Sequence, residues 1–208
     1  MIFDEASISR LRLAVQGMLS DKRYVHTLGV EDMARELGSV LLPDKTNELR
    51  VAALLHDIAK EIPYGEQIAM LKSSDLQYCE EDIRTKAVIH SLAAIPVIKT
   101  TFSEYATPDV LSAVANHTLG SENMSVFDEI IYISDYAEAG RTYHTCKAVR
   151  QYLLENISSS NTYEQNVLVL HTASLSSVES TINALNERGE SINSKTFLTK
   201  EFLLRMIK

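Results

Sequence analysis

Cysteine is scarce in this sequence, which limits what sulfur chemistry could contribute. Cys79 and Cys146 are the only two cysteines, and no Cys-x-x-Cys pair occurs. Disulfide frameworks and thiolate zinc sites both need cysteines at closer, repeated spacings. We therefore expect two reduced, unremarkable thiols.

Long apolar runs and a basic leader are lacking as well. No run of about 18 apolar residues, the length typical of a membrane-spanning helix, is present. The N-terminus carries Asp4 and Glu5 where a secretory leader would be basic and then apolar. These absences predict a soluble, cytoplasmic protein.

Positive charge is in deficit, with 20 Lys and Arg residues against 28 Asp and Glu residues, a net charge of −8. This balance disfavours a nucleic acid or an anionic membrane as partner. We expect a small-molecule partner, and a phosphorylated one would need local cations. A homodimer is the one assembly that we keep open.

Glycine and proline are rare, at 7 and 4 residues, and 45% of the 208 residues are hydrophobic. This composition indicates a folded globular protein with a sizeable core. We predict one domain over residues 1–189. Residues 190–208 are predicted to form a tail whose short helix packs on that domain.

Sustained alternation of polar and apolar residues is absent, whereas apolar residues recur at intervals of three and four. The sequence therefore predicts an all-α fold. The predicted helices cover 5–19, a segment opening at Asp21, a segment after Pro43, 64–71, 80–96, a segment capped by Thr107, 127–139, 143–157, 162–188 and part of the tail.

Individual residues predict where some of these helices begin and end. Asp21 is the expected N-cap of the second helix, and Ser125 with Asp128 resembles a capping box. Gly140 is expected to stop the helix that begins there. In the first helix, Met18 is the last residue of the predicted buried stripe.

Polar residues interrupt several of the apolar faces. Four histidines fall on the inward side of their helices, and Asp135 lies among isoleucines. Viewed one at a time, each histidine is explained by a hydrogen bond within the core. A buried aspartate is uncommon unless it is paired or ligated. The inward histidines are His26, His56, His90 and His117.

The His56-Asp57 pair ends an otherwise apolar helical run. Burying an imidazole and a carboxylate without partners would cost several kcal/mol or protonate the acid. A bound cation would remove that penalty. The alternative is a helix end at which Asp57 faces water and His56 is half-buried.

Several exceptions to the burial rules are better explained by one metal centre than by separate hydrogen bonds. Imidazole and carboxylate ligands suit iron, manganese, cobalt, nickel or zinc. Six ligands exceed the need of one open ion, so we predict two ions bridged by Asp57. Lys60 could then meet a phosphate oxygen, although a solvated helix end would also explain it. The predicted ligands are His26, His56, Asp57, His90, His117 and Asp135.

The same residues resemble a known family. The pattern of His26, His56-Asp57 and Asp135 is similar to that of the HD-domain metal-dependent phosphohydrolases, and His90 and His117 match the di-metal members. Longer segments resemble the bacterial symmetrical diadenosine-tetraphosphatases of that superfamily, over about residues 20–190. These segments are 23–30, 52–60, 117–120 and 124–136.

The resemblance implies an all-helical, di-iron enzyme that splits diadenosine tetraphosphate into two ADP by attack of a metal-bridging hydroxide. Asp57, Lys60 and Arg23 would be catalytic, and Arg23, Lys60, Thr118 and Arg141 would contact substrate. One alternative is that the protein is another HD-type phosphohydrolase, which acts on a monophosphate, guanosine tetraphosphate or a cyclic nucleotide. The other alternative is a non-catalytic nucleotide-binding regulator. Such a regulator would be expected to have lost a metal ligand, and none of the six is missing here.

Two segments depart from the family pattern. Ser121-Glu122-Asn123 stands where the family has Arg-Pro-Gly, and Ala137 and Ala139 replace the usual Ile and Pro. We expect these changes to affect substrate preference rather than hydrolysis. His144 and His171 fit no ligand pattern, and we expect them to be ordinary helix residues.

Overall fold

The computed structural model describes residues 3–208, and within that range the chain is helical with no strand. The all-α prediction is confirmed. Two 3₁₀ turns, at 43–45 and 103–105, connect longer helices. The helices are α1 (Glu5–Gln16), α2 (Asp21–Leu41), α3 (Thr46–Leu55), α4 (Tyr64–Lys72), α5 (Glu80–Arg84), α6 (Ile89–Thr101), α7 (Pro108–Asn116), α8 (Val126–Ala137), α9 (His144–Asn156), α10 (Tyr163–Glu187) and α11 (Ser194–Met206).

Helix α3 lies at the centre of the bundle because its sequence is apolar on nearly every side. Residues 49–55 are all buried, and α3 packs against α1, α2, α7 and α8. A short helix that is hydrophobic all round is stable only where neighbours cover every face. The helix ends at Leu55 inside the bundle, so His56 and Asp57 lie buried in the core rather than at the surface.

One charged residue of α3 is buried, and it is compensated by a network of ion pairs. Arg50 donates from Nε to Glu31 Oε1 at 2.9 Å and also pairs with Glu5. Arg12 donates to both oxygens of Glu31, each at 2.7 Å. Glu31 is 1% exposed and Arg50 is 5% exposed, so α1, α2 and α3 are joined by a largely dehydrated salt-bridge cluster.

Several predicted helix ends are confirmed and others are wrong. Thr107 caps α7, and Ser125 forms a capping box at the start of α8. The N-cap of α2 is Ser20 rather than Asp21, because the serine Oγ reaches the backbone N–H of Arg23. Helix α1 ends at Gln16, so Met18 leaves the buried stripe and is exposed.

The single helix predicted from residue 80 to Pro96 is wrong, because the chain breaks between α5 and α6. The Tyr64 hydroxyl donates to the carbonyl of Ile83, an oxygen that a continuous helix would use internally. Thr85 is extended, and α6 starts afresh at Ile89. Pro96, which we expect to kink or end this helix, does not end α6, which continues to Thr101.

The last two helices form a pair on one side of the bundle. Helix α11 packs on α10, where Phe202 and Leu203 join a second hydrophobic cluster with Val178. The predicted division of the chain at 189/190 stays a prediction. Among the helices of residues 3–208, none combines the length and the apolar character that crossing a membrane requires.

Candidate metal centre

Five parts of the bundle bring the six predicted ligands into one cluster. His26 comes from α2, His56 and Asp57 from the end of α3, and the others from α6, α7 and α8. In three overlapping groups, all ligand atoms lie within 4.8 Å of one another. The groups are His26 with His56 and Asp57, His56 with His117 and Asp135, and Asp57 with His90 and His117.

Asp57 lies at the middle of the cluster, with each oxygen facing a different pair of histidines. Its Oδ1 is 3.1 Å from His90 Nε2 and 3.7 Å from His117 Nε2. Its Oδ2 is 3.5 Å from His56 Nε2 and 3.8 Å from His26 Nε2. Asp57 is 2% exposed and His56 is fully buried, so the alternative of a solvent-facing Asp57 is wrong.

Electrostatics keep both aspartates ionised. Burial disfavours the charged form of Asp57, but the imidazoles around it hold its pKa well below the ordinary value. Burial also opposes ionisation of Asp135, yet His26, His56 and Arg141 lower its pKa strongly. Both carboxylates are therefore available as anionic ligands at neutral pH.

The ends of two helices fix the orientation of two histidines. His56 is the C-cap of α3 and its Nδ1 donates to the carbonyl of Ala53 at 2.6 Å. His117 is the C-cap of α7 and its Nδ1 donates to Val114 at 2.7 Å. The last carbonyls of a helix lack internal partners, which is why they accept these protons. Each Nε2 then presents a lone pair to the cluster.

The lone pairs of the cluster fit a bound cation. His56 Nε2 is buried and has no hydrogen-bond partner. His90 Nε2 and His117 Nε2 lie 3.0 Å apart and share the same carboxylate oxygen as neighbour. An imidazole lone pair aimed at a carboxylate oxygen is unfavourable in a buried site unless a cation lies between them. The donor set therefore suits a metal that accepts nitrogen and oxygen ligands.

Glu138 is a functional candidate that the sequence analysis missed. Helix α8 ends at Ala137, two residues earlier than expected, and Glu138 turns into an extended conformation. Its carboxylate accepts from His26 Nδ1 at 3.1 Å and is 3% exposed. A Cβ at Gly29 would lie 2.4 Å from Glu138 Oε2, so glycine makes room for it. The sequence signal for Glu138 was an acid three residues after Asp135, near the predicted end of α8.

The contact with Glu138 changes the acid–base behaviour of His26. Burial favours the neutral ring, but Asp135 and Glu138 outweigh burial and raise the pKa of His26 to about 8. A carboxylate that accepts the Nδ1 proton also fixes the ring so that Nε2 points into the cluster.

Removing this carboxylate should weaken metal binding. Glu138→Ala is expected to lower metal affinity about 10- to 100-fold, the usual effect of losing the partner of a ligand histidine. Glu138→Gln, which keeps an acceptor oxygen, should lose less. Titration of metal-depleted protein with metal, with circular dichroism to confirm folding, measures both. Equal affinity in wild type and Glu138→Ala would contradict this role.

The two predicted substrate-binding arginines line the edge of the cluster. Arg23 donates from Nη1 to Asp57 Oδ2 at 2.7 Å. Arg141 donates to the side chain of Asp135 at 2.5 Å and to its backbone carbonyl at 2.8 Å. Both guanidinium groups are about one-third exposed, so they can reach a ligand in solvent.

Lys60 and Thr118 border the opposite histidines. Lys60 Nζ lies 3.2 Å from His90 Nε2, and burial lowers the pKa of this lysine. Thr118 Oγ1 lies 3.1 Å from His117 Nε2. Both side chains therefore border the cluster without adding a carboxylate or an imidazole to it.

Two other histidines lie outside the cluster, as expected. His144 is exposed at the start of α9. His171 is buried on α10, and its Nδ1 pairs with Glu129 Oε2 at 2.8 Å.

A cavity of about 240 Å³ opens directly from the cluster, and His117, Asp135 and Arg141 form part of its wall.

Comparisons with known proteins agree with this geometry. The family described as HD domain matches residues 23–140, more than half of the chain. The symmetrical bis(5'-nucleosyl)-tetraphosphatase of Bacillus subtilis is 25% identical over 190 residues, covering 91% of this chain and 94% of the relative. The protein of that name from Staphylococcus aureus is 27% identical over 188 residues, covering 86% and 93%.

A solved structure has the same architecture. It is described as a predicted HD superfamily hydrolase involved in NAD metabolism from Clostridium acetobutylicum. The TM-score is 0.81, with 29% identity and coverage of 99% of each chain. HD-domain hydrolases use divalent metals, for which the cluster of histidines and aspartates is suited. The chain therefore belongs to the HD-domain family of metal-dependent phosphohydrolases.

Proposed function

We propose that the cluster binds two metal ions, with Asp57 as the bridge between them. The observation that carries this proposal is the placement of the two Asp57 oxygens, each facing a separate histidine pair. Asp135 lies 3.0 Å from His26 and would complete the ligand set on that side. Iron is the proposed metal, and manganese, cobalt, nickel and zinc accept the same donors.

We further propose that the substrate is diadenosine tetraphosphate and that the products are two ADP molecules. Two relatives that align over most of this chain carry the name symmetrical bis(5'-nucleosyl)-tetraphosphatase, which supports this substrate. The chain as a whole is acidic, so a phosphate chain needs cations concentrated at the site. Arg23, Lys60 and Arg141 supply three of them.

The protein side chains have separable tasks in this reaction. When bound, the two ions supply an activated water for in-line attack and neutralise charge on the phosphoryl group. In this structure Arg23 pairs with Asp57 and Arg141 pairs with Asp135. If metal ions bound these two carboxylates, both guanidinium groups would be released to bind phosphate oxygens. Lys60 then holds an oxygen on the side of His90, and Thr118 can donate its hydroxyl proton.

The products formed early in the reaction test this proposal. Attack beside the central bridging oxygen of the substrate yields ADP as both products, whereas attack nearer one adenosine yields ATP and AMP. We expect chromatography of initial products to show ADP alone, with activity abolished by a chelator and restored by metal. Equimolar ATP and AMP would contradict symmetric cleavage.

A panel of other nucleotides separates the remaining alternatives. Turnover of a monophosphate, guanosine tetraphosphate or a cyclic nucleotide, without turnover of diadenosine tetraphosphate, would make the enzyme another HD-type phosphohydrolase. Binding of nucleotides with no turnover above the chelated control would contradict catalysis altogether.

A further inference from the structure

A groove extends away from the metal centre along α10. The cavity beside the cluster shares Tyr136, Tyr143, Cys146 and Thr181 with a second cavity of about 310 Å³. The two cavities therefore adjoin along these residues, and we call the combined feature the tyrosine groove. Its inner end is the metal centre, and its outer end is at Arg188.

The length of the tyrosine groove exceeds what a phosphate at the metal centre would occupy. Thr181 and Arg188 both line the outer cavity and belong to α10 and its C-cap. Seven residues of α-helix rise about 10 Å. The groove thus offers space for a further group of the substrate, beyond the phosphates that the cations hold.

Tyr143 gives the tyrosine groove an aromatic surface that packing does not explain. It precedes α9 as its N-cap, and its side chain is 76% exposed. Tyr136, which is half-buried, lines both cavities as a second aromatic residue. An exposed aromatic ring beside a phosphate site is suited to stacking on a nucleobase, because every base has a flat π-face.

Resting on the proposed function, we propose that the tyrosine groove binds the second nucleoside of a dinucleoside polyphosphate, with the Tyr143 ring stacking on its base. The geometry favours this occupant because the outer cavity of the groove adjoins the cavity that His117 and Asp135 line. A dinucleoside polyphosphate carries a nucleoside at each end of its phosphate chain. The tyrosine groove would therefore discriminate a dinucleotide from a mononucleotide with the same number of phosphates.

Two ligands that differ by one nucleoside test the assignment. Diadenosine tetraphosphate is measured as substrate, and adenosine 5'-tetraphosphate is measured as its competitive inhibitor, on metal-loaded full-length protein. In Tyr143→Ala we expect KM for the dinucleotide to rise about 5- to 100-fold, the range of one lost base–aromatic stack. The inhibition constant of adenosine 5'-tetraphosphate should stay within about twofold.

Two further variants serve as controls. Tyr143→Phe keeps the ring and should retain the wild-type KM. Tyr163→Ala removes another exposed tyrosine, 51% exposed and outside the groove, and should also behave as wild type. An unchanged KM in Tyr143→Ala, or equal losses for both ligands, would overturn the inference while leaving the proposed function intact. A wild-type enzyme that hydrolyses no diadenosine tetraphosphate would instead overturn the proposed function and this inference with it.

Discussion

Asp57→Ala is expected to lower both hydrolysis and metal content strongly. The variant removes a carboxylate that faces both histidine pairs, so each proposed ion would lose a ligand. Charge stabilisation by metal ions is worth several kcal/mol in the transition state. We expect kcat/KM to fall by about a thousandfold or more, or about 4 kcal/mol.

Metal analysis and kinetics on the same preparations test this expectation. Wild-type protein loaded to full activity should contain two ions per chain, and Asp57→Ala should contain fewer. Asp75→Ala, a change at an exposed aspartate, is the matched control and should leave both quantities unchanged. One ion per wild-type chain would contradict the dinuclear proposal, and an active Asp57→Ala enzyme would contradict the role of this residue.

Glu31→Ala should produce the largest loss of stability among single changes in the ion-pair network. The glutamate is 1% exposed and accepts three hydrogen bonds from Arg12 and Arg50. Its removal leaves the buried guanidinium of Arg50 without its dehydrated partner. Breaking a buried ion pair in this way costs about 3–5 kcal/mol of unfolding free energy.

Urea denaturation of metal-depleted protein measures this loss without contributions from bound ions. Glu36→Ala, on an exposed position of the same helix, should change stability by less than about 0.5 kcal/mol. Glu31→Leu combined with Arg50→Met should recover much of the loss, because the double variant buries no unpaired charge. A Glu31→Ala protein as stable as Glu36→Ala would show that the network is not stabilising.

Most helices could be predicted from the sequence because the residues that begin and end them lie within or beside them. A threonine before Pro108 and the serine at 125 cap their helices through side-chain bonds within three residues. The break between α5 and α6 was missed for the opposite reason. It depends on the hydroxyl of Tyr64, 19 residues away from the carbonyl of Ile83 that it occupies. No pattern within residues 80–96 records that competition.

In the candidate site, too, features that depend on nearby residues could be predicted and those that depend on distant residues could not. Histidines at apolar positions could be recognised from periodicity, and the structure gathers them around Asp57. Glu138 could not be recognised in this way. Helical spacing placed it near the end of α8 but did not predict that the chain turns there. Its contact with His26 depends on the space left by Gly29 on a helix more than a hundred residues earlier. The metal-ligand roles themselves stay predictions until the ions are measured.

The distance along the chain between His26 and Glu138 has a consequence for biosynthesis. These residues are 112 positions apart in sequence, although their side chains meet at 3.1 Å. At about 5–20 residues per second, a ribosome needs about 6–22 s to make the intervening chain. During that interval His26 lacks the Glu138 carboxylate that orients its ring. Closing so long a segment is also a late event in folding, because its contacts are non-local. The nascent chain therefore cannot complete the centre before α8 and the residues after it have left the ribosome.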